Sequence, residues 1–253
     1  MTIPLQTGII YGPMSSRRFG RSLGVNLLPE NRKICTFECL YCQYDEAQQI
    51  KPSDFPSLEQ IEEEADAFFS YSSNNNAYDW IMIAGNGEPT LHPDFEEAVE
   101  ILSRLRDEYL YDVPIGILSN SSTCHKSEIQ RSLFKLEGRF MKLDAGCQKT
   151  FEALNQPASA GAWTRMVHGL YEMRRIVIQS MFVTGVVQNT SEEAIEAWIK
   201  MVHYIQPEGV QIYTLDRSPR HPDIHEAPQE TLQAIARRLT DETRIPAFLY
   251  DPE

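Results

Sequence analysis

The chain has 253 residues and 42% hydrophobic content, which suffices for one well-cored domain, and its net charge of −13 disfavours nucleic acid as a general partner. No apolar run approaches the ~18 residues of a membrane helix, no secretory signal opens the sequence, and an odd number of cysteines argues against a disulfide framework. We therefore expect a cytoplasmic protein with no membrane partner.

Buried strands and amphipathic helices alternate along the sequence. An apolar run at residues 23–28, which Pro29 ends, indicates the first strand. Similar runs predict five more strands, at residues 80–84, 115–118, 140–143, 176–183 and 209–213. Helices are predicted at residues 57–71, from 93 through 105, and at 127–136, 162–175, 190–204 and 228–243.

This alternation predicts an α/β fold. Strands that are apolar along their whole length belong to a parallel sheet buried on both faces, with right-handed crossovers. Eight such units would close a barrel, so six predict a partial (β/α)6 TIM-like barrel. We expect one domain over residues 1–253, with a loop extension at 1–22, a barrel core at 23–217 and a C-terminal helical segment at 218–253. Functional side chains should then follow the C-terminal ends of the strands.

Three cysteines crowd one loop directly after the first strand. Cys35, Cys39 and Cys42 are separated by three and two residues. Thiolates at this spacing can hold three corners of an iron–sulfur cluster and leave one iron open for chemistry. The alternatives are a structural zinc site and three unrelated buried thiols. Structural zinc usually takes four ligands from two separated pairs, and no second pair follows in the sequence.

The cysteine loop resembles the C-x3-C-x-aromatic-C signature of the radical S-adenosylmethionine (SAM) enzymes, with Tyr41 at the aromatic position. The resemblance implies a [4Fe–4S] cluster on the three cysteines, with SAM chelated by the open iron. It implies reductive cleavage of SAM to a 5′-deoxyadenosyl radical that abstracts hydrogen from a substrate. An external one-electron reductant of the flavodoxin or ferredoxin type is also implied, because the chain shows no second redox centre.

A glycine-flanked loop follows the second strand, where the family has its Gly-Gly-Glu-Pro motif. Here the residues are Gly85, Asn86, Gly87, Glu88 and Pro89. The resemblance implies that this loop binds the amino group of SAM, and the glycines leave the backbone open to a ligand. Asn86 departs from the family's second glycine, at a position whose backbone can still act. Taken alone, the same residues would form an ordinary turn.

Further polar residues at strand ends are assigned to the cofactor. Ser119 and Asn120 end the third strand, where ordinary turn chemistry is the alternative. Gln179 in the fifth strand is predicted beside the ribose or carboxylate of SAM. Thr214, after the sixth strand, is predicted beside the adenine.

Lys142 ends the fourth strand, where the family carries a serine that contacts the SAM carboxylate. The resemblance implies that the Lys142 ammonium makes this contact by charge, with Asp144 following in the same stretch. The alternatives are a lysine paired with Asp144 and a lysine directed at solvent. Because so apolar a strand would rarely bury an unpaired lysine, the ligand role is favoured.

The N-terminal part of the chain is basic although the whole is acidic. Residues 10–35 carry five basic side chains and one acidic one, a local charge of +4. Arg17, Arg18 and Arg21 lie in this segment, and Arg217 follows the sixth strand. We predict that these four anchor an anionic substrate; the alternative is that they offset the acidic remainder.

A longer resemblance, from about Gly8 to Arg217, is to small radical SAM proteins related to the wybutosine tRNA-modifying synthase. It rests on residues 11–26, the cysteine loop and residues 85–93. The synthase carries a further cysteine triad and basic surfaces for tRNA, which are not evident here. Cys124 and Cys147 are too few and too far apart for an auxiliary cluster. The alternatives are tRNA or peptide modification and, in another class, a metal-binding protein without catalysis.

Overall fold

The computed structural model describes residues 3–48, 51–72 and 78–250. Within these ranges the strands are β1 (Ile10–Ser16), β2 (Gly20–Val25), β3 (Trp80–Ile83), β4 (Ile115–Ser119), β5 (Gly138–Lys142), β6 (Val177–Met181), β7 (Val183–Gly185), β8 (Gly209–Tyr213), β9 (Ile224–Glu226) and β10 (Ala247–Tyr250). The α-helices are α1 (Leu58–Ser72), α2 (Phe95–Tyr109), α3 (Ser127–Phe134), α4 (Gln148–Asn155), α5 (Ala162–Glu172), α6 (Glu192–Ile205) and α7 (Gln229–Thr243). No described helix has a stretch long and apolar enough to cross a bilayer.

One large sheet organises the chain. Its strands follow the order β1-β2-β3-β4-β5-β6-β8-β10. Within this sheet β2, β3, β4, β5, β6, β8 and β10 run parallel, and β1 pairs antiparallel with β2 at one edge. The sheet curls into a partial barrel, so the predicted α/β architecture is confirmed. Because the strands are parallel, the loops after them gather at one rim.

The two faces of the sheet bury different clusters, because alternate residues of a strand point to opposite sides. Ile81 and Ile83 of β3 join the main core beneath the helices. On the inner face, Met82 and Phe140 form a smaller cluster with Phe19, from the turn between β1 and β2. The rings of Phe19 and Phe140 meet edge to face at 4.6 Å between centroids. This turn therefore packs against the inside of the barrel.

The N-terminal segment differs from the expected loop, because it forms a β-hairpin. β1 and β2 pair from Ile10 opposite Val25 to Ser16 opposite Gly20. Most of β1 is exposed, so it lacks the apolar run by which a buried strand is recognised. The first predicted strand, at 23–28, is correspondingly wrong at both ends, since β2 covers Gly20–Val25.

Three other elements depart from prediction. β10 pairs in parallel with β8, so the sheet has seven parallel strands, and residues 218–253 are not purely helical. α4 is only eight residues long, which is too short for a helical period to stand out. The strand predicted at 176–183 is interrupted at Phe182 and becomes β6 and β7.

The capping residues at the starts of α1 and α6 can be compared with those predicted from the sequence. The capping box predicted at Ser57 is confirmed, because Gln60 Oε1 accepts from the Ser57 N–H at 2.9 Å and Ser57 Oγ accepts from the Gln60 N–H at 3.2 Å. At α6 the cap is Ser191, whose hydroxyl accepts from the Ala194 N–H at 3.3 Å. The start predicted at Thr190 is therefore early by one residue.

Candidate functional site

The cysteine loop is joined to the loop after β3 by backbone pairing. The Ile34 N–H donates to the Asn86 carbonyl, and the Glu88 N–H donates to the Ile34 carbonyl, each at 2.8 Å. Gly87 lies between these bonds at φ +139°, and a Cβ there would stand 1.8 Å from the Ile34 oxygen. Only glycine fits this contact. Gly87 therefore allows the two predicted loops to pair side by side.

The other side of the cysteine loop rests on α4 and on the chain after β8. The Leu40 N–H donates to the Leu154 carbonyl at 3.0 Å. The Arg220 N–H donates to the Cys42 carbonyl at 2.8 Å, and the Arg220 guanidinium binds the Glu38 carboxylate at 2.7 Å. The loop is thus held by three separate parts of the chain, two of which were not recognised from the sequence.

Two of the three thiols receive amide hydrogen bonds. Asn120 Nδ2 lies 3.4 Å from Cys35 Sγ, and Asn155 Nδ2 lies 3.3 Å from Cys39 Sγ. Burial raises the pKa of Cys35 to about 12 and that of Cys39 to about 11. Such thiols become thiolates only when a cation replaces the proton.

The donor set suits a multi-iron cluster. Within the described ranges, no three His, Cys, Asp or Glu side chains are close enough to hold a single metal ion. A [4Fe–4S] cluster binds its cysteines at separate irons, so its thiolates need not converge on one point. Cys35, Cys39 and Cys42, with amide donors on two of them, fit such a group.

A buried polar network lies beside Cys39. The Tyr41 hydroxyl donates to Asp144 Oδ2, and Asn155 Nδ2 donates to the same oxygen at 2.9 Å. Asp144 Oδ1 accepts from the Met181 N–H at 2.8 Å and lies 3.4 Å from Lys142 Nζ. The predicted alternative of a lysine paired with Asp144 is therefore what the structure has.

Lys142 also reaches β8. Its ammonium lies 2.7 Å from the Tyr213 hydroxyl and 4.9 Å from the centroids of both the Tyr41 and Tyr213 rings. Burial alone would lower the pKa of Lys142, but Asp144 and Tyr213 outweigh it and raise the pKa above the usual value. The ammonium therefore stays charged at neutral pH. Tyr213 was not predicted as a site residue, although its place at the end of a parallel strand signals one.

Glu88 fastens the loops after β3 and β4 to each other. Its buried carboxylate accepts from the Thr90 hydroxyl at 2.6 Å, from the Ser119 hydroxyl at 2.9 Å and from the Asn120 N–H. Burial raises the pKa of Glu88, and these hydrogen bonds oppose the shift. The predicted residues Glu88, Ser119 and Asn120 are thus brought together, bound to one another.

Asn86, which stands where the family motif has its second glycine, links its loop to other segments of the chain through hydrogen bonds. Its backbone N–H donates to Asn26 Oδ1 at 3.1 Å, and its side chain bonds both backbone groups of Gln6 and the Pro29 carbonyl. Its own carbonyl accepts from Ile34. Every polar group of Asn86 is thus engaged within the chain, which a glycine could not achieve.

Two other predicted residues are likewise engaged. Gln179 points into the barrel, where Nε2 donates to Gln211 Oε1 at 2.7 Å. The Thr214 hydroxyl donates to the Phe182 carbonyl at 2.7 Å and accepts from the Ala227 N–H at 2.8 Å.

The four predicted substrate arginines have different partners in the structure. Arg17 pairs with Asp216 at 3.3 Å, and the Arg21 guanidinium stacks 5.4 Å from the Tyr78 ring centroid. Arg217 lies near Tyr44, whose pKa its charge lowers against the larger raising effect of burial. Arg18 alone stacks on Tyr213, the ring that Lys142 also contacts. The four residues therefore have different contacts, and their role as substrate anchors stays a prediction.

The two remaining cysteines lie apart from this network. Cys124 is buried, with Sγ 3.5 Å from the Met166 carbonyl, and burial raises its pKa. Cys147 lies 3.3 Å from the Thr150 hydroxyl at the start of α4. Each thiol thus has a contact with its local surroundings.

Relatives of known sequence cover most of the chain. A protein of Brachyspira hyodysenteriae named GTPase Obg is 32% identical over 220 residues, which are 84% of this chain and 31% of that protein. A UPF0026 protein of Methanocaldococcus jannaschii is 27% identical over 218 residues, which are 83% of this chain and 64% of that one. The chain thus spans less than two thirds of either relative. It has no Gly-Lys pair, hence no P-loop of the kind that cradles a nucleoside triphosphate.

A solved structure shares the fold of this chain, and a family model matches the part of it that contains the cysteine loop. The structure of TYW1 with a lysine–pyruvate adduct bound is similar at a TM-score of 0.59 and 15% identity, over 88% of this chain and 74% of that one, which shows a shared fold. The family model described as the Radical SAM superfamily matches residues 33–201, from the cysteine loop into α6. The chain therefore belongs to the radical SAM superfamily of enzymes.

Proposed function

We propose that Cys35, Cys39 and Cys42 bind a [4Fe–4S] cluster and that the chain cleaves SAM reductively. When bound on these cysteines, the cluster would supply one electron, passed on from an external reductant, for cleavage of the sulfonium to methionine and a 5′-deoxyadenosyl radical able to take a hydrogen atom from a substrate. The observation that carries the proposal is the cysteine loop itself, which is locked against the Gly87 loop with amide donors on two of its thiols.

The polar rim beside the cysteines supports a site for SAM. We assign the SAM carboxylate to Lys142, because Asp144 keeps its ammonium charged and its side chain is 16% exposed. We assign the amino group of SAM to backbone carbonyls of residues 85–89, because the side chains of Asn86 and Glu88 are already bonded and a carbonyl oxygen can accept a second hydrogen bond.

Two further contacts remain proposals at the same rim. Gln179 faces the barrel interior and is our choice for the ribose or carboxylate of SAM. Thr214 would meet the adenine through its backbone, because its hydroxyl is engaged.

The reaction needs partners that the chain does not supply. A flavodoxin or ferredoxin type of reductant is proposed as the electron source, since the three cysteines account for one cluster. The five free cysteines suit a reducing compartment, and we propose the cytoplasm. The net charge of −13 argues against tRNA as the substrate, because it repels phosphate backbones.

Metal analysis tests the proposal and separates it from a zinc-binding protein. After anaerobic reconstitution the intact chain is expected to hold about four irons with matching sulfide. One zinc per chain without sulfide would contradict the proposal.

Asn155 is expected to tune the cluster through its hydrogen bond to Cys39. A donor to a thiolate stabilises the more negative, reduced state, so Asn155→Leu should lower the midpoint potential by about 50 mV or more. An anaerobic redox titration followed by electron paramagnetic resonance measures this shift. Asn31→Leu, at an exposed residue that bonds Arg32, is the control and should leave the potential unchanged. Equal potentials for the Asn155 variant and the parent would show that the bond has no such role.

A further inference from the structure

Arg18 is a cation inside the barrel that no described carboxylate neutralises. Its guanidinium carbon lies 4.5 Å from the ring centroid of Tyr213 and 5.3 Å from that of Phe19. Within residues 3–48, 51–72 and 78–250, Nη1 of Arg18 is buried and has no hydrogen-bond acceptor. A buried charged donor without an acceptor is destabilising, so this side chain favours a ligand that provides one.

The nearby acidic groups are already committed. Asp216 lies 3.3 Å from Arg17, on the same hairpin turn. Asp144 binds Lys142, Tyr41 and a backbone N–H. An acceptor for Arg18 therefore has to come from outside the described chain.

The surroundings of Arg18 suit a flat, two-oxygen acceptor. The guanidinium lies over the Tyr213 ring, and its planar fork of N–H donors matches an acceptor with two oxygens. Lys142, on the same ring, adds a second positive charge. Phe19 packs against Phe140 and so anchors the turn that carries Arg18. The position of the cation is thus set by the fold of the hairpin.

We propose that the substrate carries an oxyanion group, a carboxylate or a phosphate, and that Arg18 binds this group inside the barrel. That the ligand is a substrate rests on the proposed function, whereas the anion site itself does not depend on the cluster. Four arginines were predicted to anchor an anion. The proposal assigns that role to Arg18, which has a buried donor without an acceptor.

The test is calorimetric titration of the intact chain with inorganic phosphate and, separately, with acetate, in chloride-free buffer. Arg18→Gln should weaken binding of the preferred anion at least about tenfold, because a hydrogen bond to a charged group is worth at least that factor. Arg21→Gln is the matched control: it removes an arginine of the same hairpin that stacks on a different tyrosine, Tyr78. The stronger of the two anions identifies the chemical class.

A second variant guards against misfolding. Arg18→Lys keeps the charge but loses the planar fork, so it should bind with intermediate affinity, and circular dichroism checks its fold. The proposal is overturned if the parent binds neither anion or if both Arg18 variants bind as the parent does. It is also overturned if Lys142→Met abolishes binding while Arg18→Gln leaves it unchanged, because the anion would then bind at Lys142.

Cleavage of SAM by the parent chain, measured in parallel, separates the two proposals. Cleavage without anion binding would reject the Arg18 site and leave the proposed function standing. Anion binding at Arg18 without cleavage would reject the proposed function and leave the site standing.

Discussion

Replacing Cys39 by alanine is expected to abolish both cluster binding and the cleavage of SAM. The Cys39 thiol is half-buried beside Asn155 and Tyr41, and no other described cysteine could take its place in the loop. Removing a residue that only orients a metal ligand typically lowers metal affinity or activity about 10–100-fold. Losing a ligand itself should therefore lower iron retention and activity by more than about 100-fold. Iron and sulfide content after anaerobic reconstitution, with 5′-deoxyadenosine formation, measures both losses.

Cys147→Ala is the matched control for this experiment. It also removes a cysteine, but one whose described contact is with the Thr150 hydroxyl at the start of α4. It should retain about four irons and the parent's rate of cleavage. If Cys39→Ala cleaved SAM as fast as the parent, the assignment of ligands would be wrong.

Gly87→Ala is expected to destabilise the fold by about 3 kcal/mol or more. The added methyl group would lie 1.8 Å from the Ile34 carbonyl oxygen, and the backbone would have to hold φ at +139°. Relief requires separating the loop after β3 from the cysteine loop, so cluster retention should fall as well. Urea denaturation of the unreconstituted chain measures the loss of stability.

Gly161→Ala provides the comparison that isolates the clash. Gly161 also has positive φ, at +71°, but the nearest atom to its added methyl group is Nη1, at the far end of the long Arg165 side chain, at 3.1 Å. Gly161→Ala should lower the free energy of unfolding by about 1 kcal/mol, which is the strain of the backbone alone. Equal losses for the two variants would show that the contact between Gly87 and Ile34 contributes nothing beyond backbone strain.

The parts of the fold that could be predicted are those encoded locally. Continuous apolar runs marked β3, β4 and β8, and the Ser57 capping box marked the start of α1. The spacing of the three cysteines lies within eight residues, so it can be read without knowing the fold. β1 escaped prediction because an exposed edge strand has no apolar signature.

The supports of the candidate site could not be predicted, because they come from distant parts of the chain. Asn155 lies 116 residues after Cys39, and Arg220 lies 182 residues after Glu38. Neither position has a local pattern that links it to the cysteine loop. Missing α4 also hid Asn155, since its side chain reaches Cys39 only from the end of that helix.

Asn86 shows how a motif can be located correctly and its chemistry only partly understood. The sequence placed it in a glycine-rich loop and left its backbone available to a ligand. In the structure its N–H, its carbonyl and its side chain are all bonded within the chain. Those partners, Asn26, Pro29 and Gln6, come from the segments before the cysteine loop, which no spacing within the motif indicates.

The most direct measurement is the conversion of SAM by the anaerobically reconstituted chain in the presence of dithionite. The cysteine loop, its amide donors and the charged Lys142 predict 5′-deoxyadenosine and methionine in equal amounts, formed only when reductant is present. A chain that holds about four irons with sulfide and still forms no 5′-deoxyadenosine would contradict the assigned chemistry.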